Sequence, residues 1–213
     1  MIELESQPFE ACRAGKPDQL DANIAHLVAA QFLEIDPNSR FNVRVTGMHN
    51  SYYGYTKISV FGEVSQNLLI VPGINQKLET VILEHLGKVR IDEENDIPVE
   101  FDFTSQSNPL AKNKKNGDQG DPIAVAYKDG PMHLPWERYL AVGIRNIIDR
   151  IYQNNGAVPG FLAQLSGITA VPGLRADGKV TVNALYDGVR LHSINDITIA
   201  VEHNKDYPIN RLR

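Results

Sequence analysis

The sequence predicts an α+β protein of two consecutive domains, each with helices packed on one face of a mainly antiparallel sheet. Three observations carry this. Apolar residues recur at helical spacing in three separate stretches, short segments of alternating polarity lie between them, and a polar aperiodic stretch from Thr104 to Gly120 divides the chain. Leu20, Ile24, Leu27, Val28, Phe32 and Ile35 mark a helix from about Asp18 to Ile35, with Asp18 or Asp21 placed to cap its start. Phe41, Val43 and Val45 alternate, and after a Gly- and Tyr-rich turn from Gly47 to Gly54 the run Lys57 to Val64 forms the second arm of a hairpin. Ile74, Leu78, Val81, Ile82 and Leu86 set a second helix that Gly87 is placed to end, and Pro98 to Phe103 alternates as a strand. Further on, Pro122 to Tyr127 is a short strand candidate, and Leu140, Ile144, Ile147, Ile148 and Ile151 give a third helix after Pro135. Two strands follow, Lys179 to Tyr186 and Leu191 to Val201, turning at Asp187-Gly188. The domains are therefore set at residues 1–103 and 121–213, with 104–120 a functional loop or junction.

Composition narrows the function. The 213 residues can bury a substantial core, and 42% hydrophobic with 22% charged is ordinary for a globular chain. A net charge of -5 provides no general field for nucleic acid or anionic lipid, so neither is expected as a partner. Cys12 is the only cysteine, which rules out an internal disulfide and a cysteine-based zinc cluster. Met1 to Glu5 has neither the basic nor the apolar region of a signal peptide, and the sequence has no apolar run of membrane-spanning length; the cytoplasm is the expected compartment.

Five short segments stand out. Gly15-Lys16-Pro17-Asp18 opens the first helix, where unpaired N–H groups and the helix dipole favour anions, although Pro and Asp also serve as an ordinary helix start. Glu63 ends the strand in Phe61-Gly62-Glu63-Val64-Ser65, and Gln106 sits in Ser105-Gln106-Ser107 at the edge of the polar stretch; each has a solvent-facing alternative. In Gly117-Asp118-Gln119-Gly120, glycines on both sides of Asp118 allow close backbone approach to a ligand, and equally a plain turn. Arg175-Ala176-Asp177-Gly178-Lys179 enters a strand through a turn. His133, His192 and His203 have no metal-ligand spacing, and the P-loop motif is absent.

In this order the five segments resemble S-adenosylmethionine synthetase (methionine adenosyltransferase), most closely at Gly117 to Gly120. The resemblance covers essentially the whole chain but lacks the family's C-terminal third, with its Gly-rich phosphate loop. It implies that ATP and methionine bind and that S-adenosylmethionine forms with release of phosphate and pyrophosphate. Lys16, Asp118 and Lys179 are then the catalytic residues, with the two lysines at phosphate and Asp118 orienting methionine and nucleotide. Asp18 is the Mg2+ ligand, Glu63 holds the methionine amino group, Gln106 contacts the adenine and methionine region from the active-site loop, and Asp177 meets ribose or adenine. The family has His at the position of Lys16, Lys at Gln19 and Pro at Ala176. Arg44 stands where the family carries a Glu that helps bind K+, and two readings stay open: its guanidinium replaces the monovalent cation, or it is an exposed strand arginine. The resemblance also implies a site between subunits, so the expected partner is a second copy in a homodimer, or a hetero-oligomer with a chain supplying the missing third. The rival expectation is a catalytically incomplete relative that serves as a nucleotide-binding, regulatory or assembly subunit.

Overall fold

The computed structural model describes residues 4–50, 54–89, 97–106 and 126–204. Their order is β1 (Glu5–Cys12), α1 (Pro17–Ile35), β2 (Phe41–Asn50), β3 (Gly54–Val64), α2 (Gln66–Leu69), α3 (Ile74–Val89), β4 (Val99–Ser105), α4 (Trp136–Gln153), α5 (Gly160–Ser166), β5 (Leu174–Asp187) and β6 (Arg190–His203). The chain is α+β, and its described residues form two three-stranded sheets, ordered β1-β5-β6 and β2-β3-β4. It divides into two compact units, residues 17–122 and residues 1–16 with 123–213. The first sixteen residues, assigned from the sequence to the N-terminal domain, thus cluster with the C-terminal part. The cause is β1, which pairs antiparallel with β5 from Glu5↔Tyr186 to Cys12↔Lys179.

Within residues 17–122, β2 and β3 form the expected hairpin, and β4 adds to β3 in parallel after α2 and α3. Helix α1 buries Leu20, Ile24, Val28 and Phe32, one residue per turn, and α3 buries Leu78, Ile82 and Leu86. They cover the sheet face carrying Ile58, Val60 and Val64, and this apolar layer is the unit's core. Two local expectations are corrected. Helix α3 runs through Gly87 to Val89: Gly87 is not among the residues of positive φ, and buried Leu86 with half-buried Val89 keeps the last turn packed. Asp21 does not cap α1, since Pro17 occupies the first helical position and the Asp21 carboxylate accepts from the Gly47 backbone N–H at 3.1 Å, fastening α1 to β2.

In the other unit β5 is the central strand, antiparallel to both neighbours. Its alternate residues Val180, Val182, Ala184 and Tyr186 are buried, and α4 lies over them with Ala141 against Ala11. Alanines at the contact let the helix approach the sheet closely. Pro8 is tolerated in β1 because β1 is an edge strand among the described residues.

Tyr186 closes the start of α4. Its hydroxyl donates to Glu137 Oε2 at 2.7 Å and accepts from the Trp136 backbone N–H at 3.2 Å, satisfying a helix donor that no cap side chain reaches. Burial, and then the Glu137 hydrogen bond, push the phenol up to about 12. A phenol raised in this way stabilises the fold fully below its ordinary value of about 10. That contribution is lost as pH rises through about 12. Tyr186→Phe leaves a buried carboxylate and an N–H unpartnered, and is expected to cost roughly 2 kcal/mol near neutral pH. Urea melts across pH 8 to 12 would check both statements, and identical midpoints for variant and unmutated protein would refute them.

Candidate functional site

The site is built where β1 ends and β5 begins. Register places Cys12 opposite Lys179, so Glu10, two residues earlier in β1, is the diagonal neighbour of Lys179 on the face turned away from α4. Lys179 Nζ lies 2.8 Å from Glu10 Oε2, and Lys16 Nζ lies 3.9 Å from Glu10 Oε1. Two of the sequence-predicted catalytic residues are thereby brought to the two oxygens of one carboxylate. All three side chains keep solvent contact, at 46% exposure for Lys179, 36% for Glu10 and 27% for Lys16, so a ligand can reach them. The hydrogen bond from Lys179 holds the Glu10 carboxyl below its ordinary range, with help from Cys12, whose Sγ donates to Glu10 Oε1 at 3.5 Å, and from Lys16. Burial and the same bond push the Cys12 thiol up, so Cys12 stays a protonated donor here.

Arg13 ties the two segments together. Its side chain is fully buried, with Nε donating to Asp149 Oδ1 at 2.7 Å and Nη1 donating to the carbonyls of Arg175 and Asp177, the latter at 3.1 Å. Its guanidinium carbon lies 5.4 Å from the centre of the Tyr152 ring. The main chain repeats the tie: Arg13 N donates to Gly178 O at 2.9 Å, and Lys16 N donates to Arg13 O at 3.1 Å. Gly15 completes the contact, because a Cβ there would fall 2.4 Å from that of Ala176. The Asp177 carboxylate accepts from the next backbone N–H, that of Gly178, at 2.6 Å and thereby shapes the strand entrance.

The remaining candidates belong to residues 17–122. Glu63 is exposed on β3 between Asn42 of β2 and Thr104 of β4, on the sheet face opposite the helices. Gln106 follows β4 and extends the ladder, its backbone N–H donating to Val64 O at 2.9 Å, while its buried Oε1 finds no partner among the described residues. Glu63 and Gln106 thus lie near the C-terminal ends of adjacent parallel strands. Arg44, exposed on β2 and paired with Phe61, shares the face of Glu63. Asp18 is exposed in the first turn of α1. Among the described residues no three His, Cys, Asp or Glu side chains gather as a metal site. Asp118 and the rest of Gly117 to Gly120 lie outside the described residues, as does most of the strand candidate Pro122 to Tyr127, of which Tyr127 is irregular. A recess of about 220 Å³ between Phe32, Leu68, Ile74 and Phe103 includes none of the candidate residues.

No family model matches the chain. The S-adenosylmethionine synthase of Aquifex aeolicus (strain VF5) is similar, 23% identical over 214 residues that span 96% of this chain and 50% of that protein. The chain is distantly related to S-adenosylmethionine synthase. It spans about half the length of that synthase. The similarity extends over 96% of this chain, so it takes in both compact units. No helix among the described residues is long and apolar enough to cross a membrane.

Proposed function

We propose that this chain binds ATP and methionine and forms S-adenosylmethionine, as a homodimer or with a partner chain that completes the site. The observation that carries this reading is the meeting of Lys16 and Lys179 at one carboxylate. Two ammonium groups that face the two oxygens of Glu10, Lys179 in hydrogen-bond contact at 2.8 Å and Lys16 at an ion-pair distance of 3.9 Å, are placed to face two oxygens of a polyphosphate. In the reaction, a lone pair of the methionine sulfur attacks C5′ of ATP, and the C5′–O bond breaks with its electron pair leaving on the triphosphate. Negative charge grows on the leaving oxygen, and fixed cations at the triphosphate lower the barrier because they need no reorganisation. Water then splits the triphosphate into phosphate and pyrophosphate.

The other roles follow the same resemblance. Glu63 would hold the methionine amino group, with Gln106 and Asp118 orienting the substrates and Asp177 meeting the nucleoside. Asp18 would hold Mg2+, and a single exposed carboxylate fits that ion, which usually takes one or two carboxylates and completes its shell with phosphate oxygens and water. Arg44 would stand in for a monovalent cation. The second reading, a nucleotide-binding subunit without chemistry, is favoured by Lys16 and Gln19 in place of the His and Lys of the family motif.

The deciding experiment incubates the protein with ATP, Mg2+ and methionine, alone and with a candidate partner chain, and detects the product by mass. Lys179→Ala is expected to lower kcat/KM by about 100-fold, the loss typical of one preorganised charge-stabilising donor, and K+ and Na+ should support equal rates. Nucleotide binding by calorimetry with no product under either condition would select the second reading. Absence of both binding and product would reject the two together.

A further inference from the structure

The site's lysines depend on a residue that the reaction does not itself require. Lys16 lies in a four-residue loop after β1 and Lys179 near the start of β5, segments that the backbone ladder alone joins only up to Cys12↔Lys179. Past that pair, the loop is held by Arg13. A buried cation is costly, and an ion pair of this kind often stabilises no better than apolar packing would. What arginine supplies and an apolar residue cannot is direction: one planar fork reaches the Asp149 carboxylate on α4 and two alternate carbonyls at the start of β5, those of Arg175 and Asp177. The same residue's main chain bonds Gly178 on one side and Lys16 on the other.

We propose that Arg13 is a positioning residue whose buried guanidinium clamps residues 13–16 to the start of β5 and so sets the separation at which Lys16 and Lys179 meet an anion. The proposal rests on the reading of those lysines as a phosphate site. Arg13 touches no substrate; it acts through the lysines, and Asp149 anchors it to α4. Lysine at position 13 keeps the charge and the reach to Asp149 but loses the fork, so the clamp on the two carbonyls is released while the ion pair persists.

The test uses the full chain in Arg13→Lys and Asp149→Asn forms, with thermal melts to establish folding. Its first readout needs no ligand: the titration of the Glu10 carboxyl by NMR, which the bond from Lys179 holds low in the unmutated protein. In a folded Arg13→Lys protein the Glu10 midpoint is expected to rise toward its ordinary value as Lys179 and Lys16 separate. The second readout is calorimetric binding of inorganic tripolyphosphate, expected to weaken about tenfold, the equivalent of one ordinary charge-assisted contact. In a Lys179→Ala background the Arg13→Lys change is expected to have little further effect, a non-additivity that general destabilisation does not produce. An unchanged Glu10 midpoint in the folded variant, or additive losses, overturns the proposal. If Arg13→Lys does not fold, Asp149→Asn decides by the same two measures, and failure of both to fold assigns Arg13 a structural role instead. A shifted Glu10 midpoint without tripolyphosphate binding by the unmutated protein leaves the clamp standing and removes the phosphate reading.

Discussion

Gly178→Ala is expected to destabilise the β1-β5-β6 unit by about 4 kcal/mol, the range reached when backbone strain and a steric clash coincide. Gly178 has φ +149°, a conformation that side-chain-bearing residues rarely adopt. A Cβ there would lie 2.5 Å from the Ala200 carbonyl oxygen and 3.1 Å from Arg13 Cδ. Neither can withdraw. Ala200 O belongs to β6, next to the irregularity that interrupts the β5-β6 register between Leu174 and Gly178, and Arg13 is fixed at three acceptors. Gly178 also gives its carbonyl to Arg13 N and its N–H to Asp177 Oδ1. Displacing it therefore loosens the clamp that brings Lys16 to Lys179, and tripolyphosphate binding should fall with stability. Gly188, at φ +57° in the β5-β6 turn with no atom within 4 Å of its would-be Cβ, provides the control. Alanine there meets only backbone strain and should cost about 1 kcal/mol. Urea denaturation of the two variants checks the contrast, and equal midpoints would refute it.

The difference between these glycines also marks what the sequence makes legible. Elements with one face in a core announce themselves by period: Leu20, Ile24, Val28 and Phe32 specify α1, and the buried alternation from Val180 to Tyr186 specifies β5. Strand β1 has no such signature. Only Ala11 is buried in Glu5–Cys12, and Pro8 argues against a strand unless the strand is known to be an edge. Helix α5 buries nothing, so its seven residues carry no period to read. The site divides along the same line. Lys16, Asp177 and Lys179 sit in segments whose resemblance to a known family draws attention, whereas Glu10 and Arg13 matter only because β1 pairs with β5 in one register. A Glu two residues before Cys12 and an Arg one residue after it are unremarkable in the chain. Pairing across the sheet makes Glu10 the point where the lysines meet and Arg13 the clamp behind them.

Phe32→Ala should cost the β2-β3-β4 unit about 4 kcal/mol, in the middle of the range for removing a buried aromatic ring. Phe32 is 1% exposed, and its ring centre lies 5.5 Å from those of both Phe41 and Phe103, tilted to the first and edge-on to the second. It joins α1 to β2 and to β4 at once. The void left behind cannot close easily, because Phe32 already lines the recess of about 220 Å³ with Leu68, Ile74, Phe101 and Phe103, and alanine enlarges that space instead of letting neighbours collapse. Leucine restores most of the volume without the aromatic contacts and should cost about 1.5 kcal/mol. Phe103 precedes Gln106 by three residues at the end of β4, and Glu63 lies beside that end on β3. If these two hold methionine, Phe32→Ala should also weaken methionine binding, with Phe32→Leu recovering most of it. Urea melts establish the stability order and calorimetry the binding order. A Phe32→Ala protein as stable as the unmutated one would mean that the aromatic cluster, close as its rings are, does not hold α1 to the sheet.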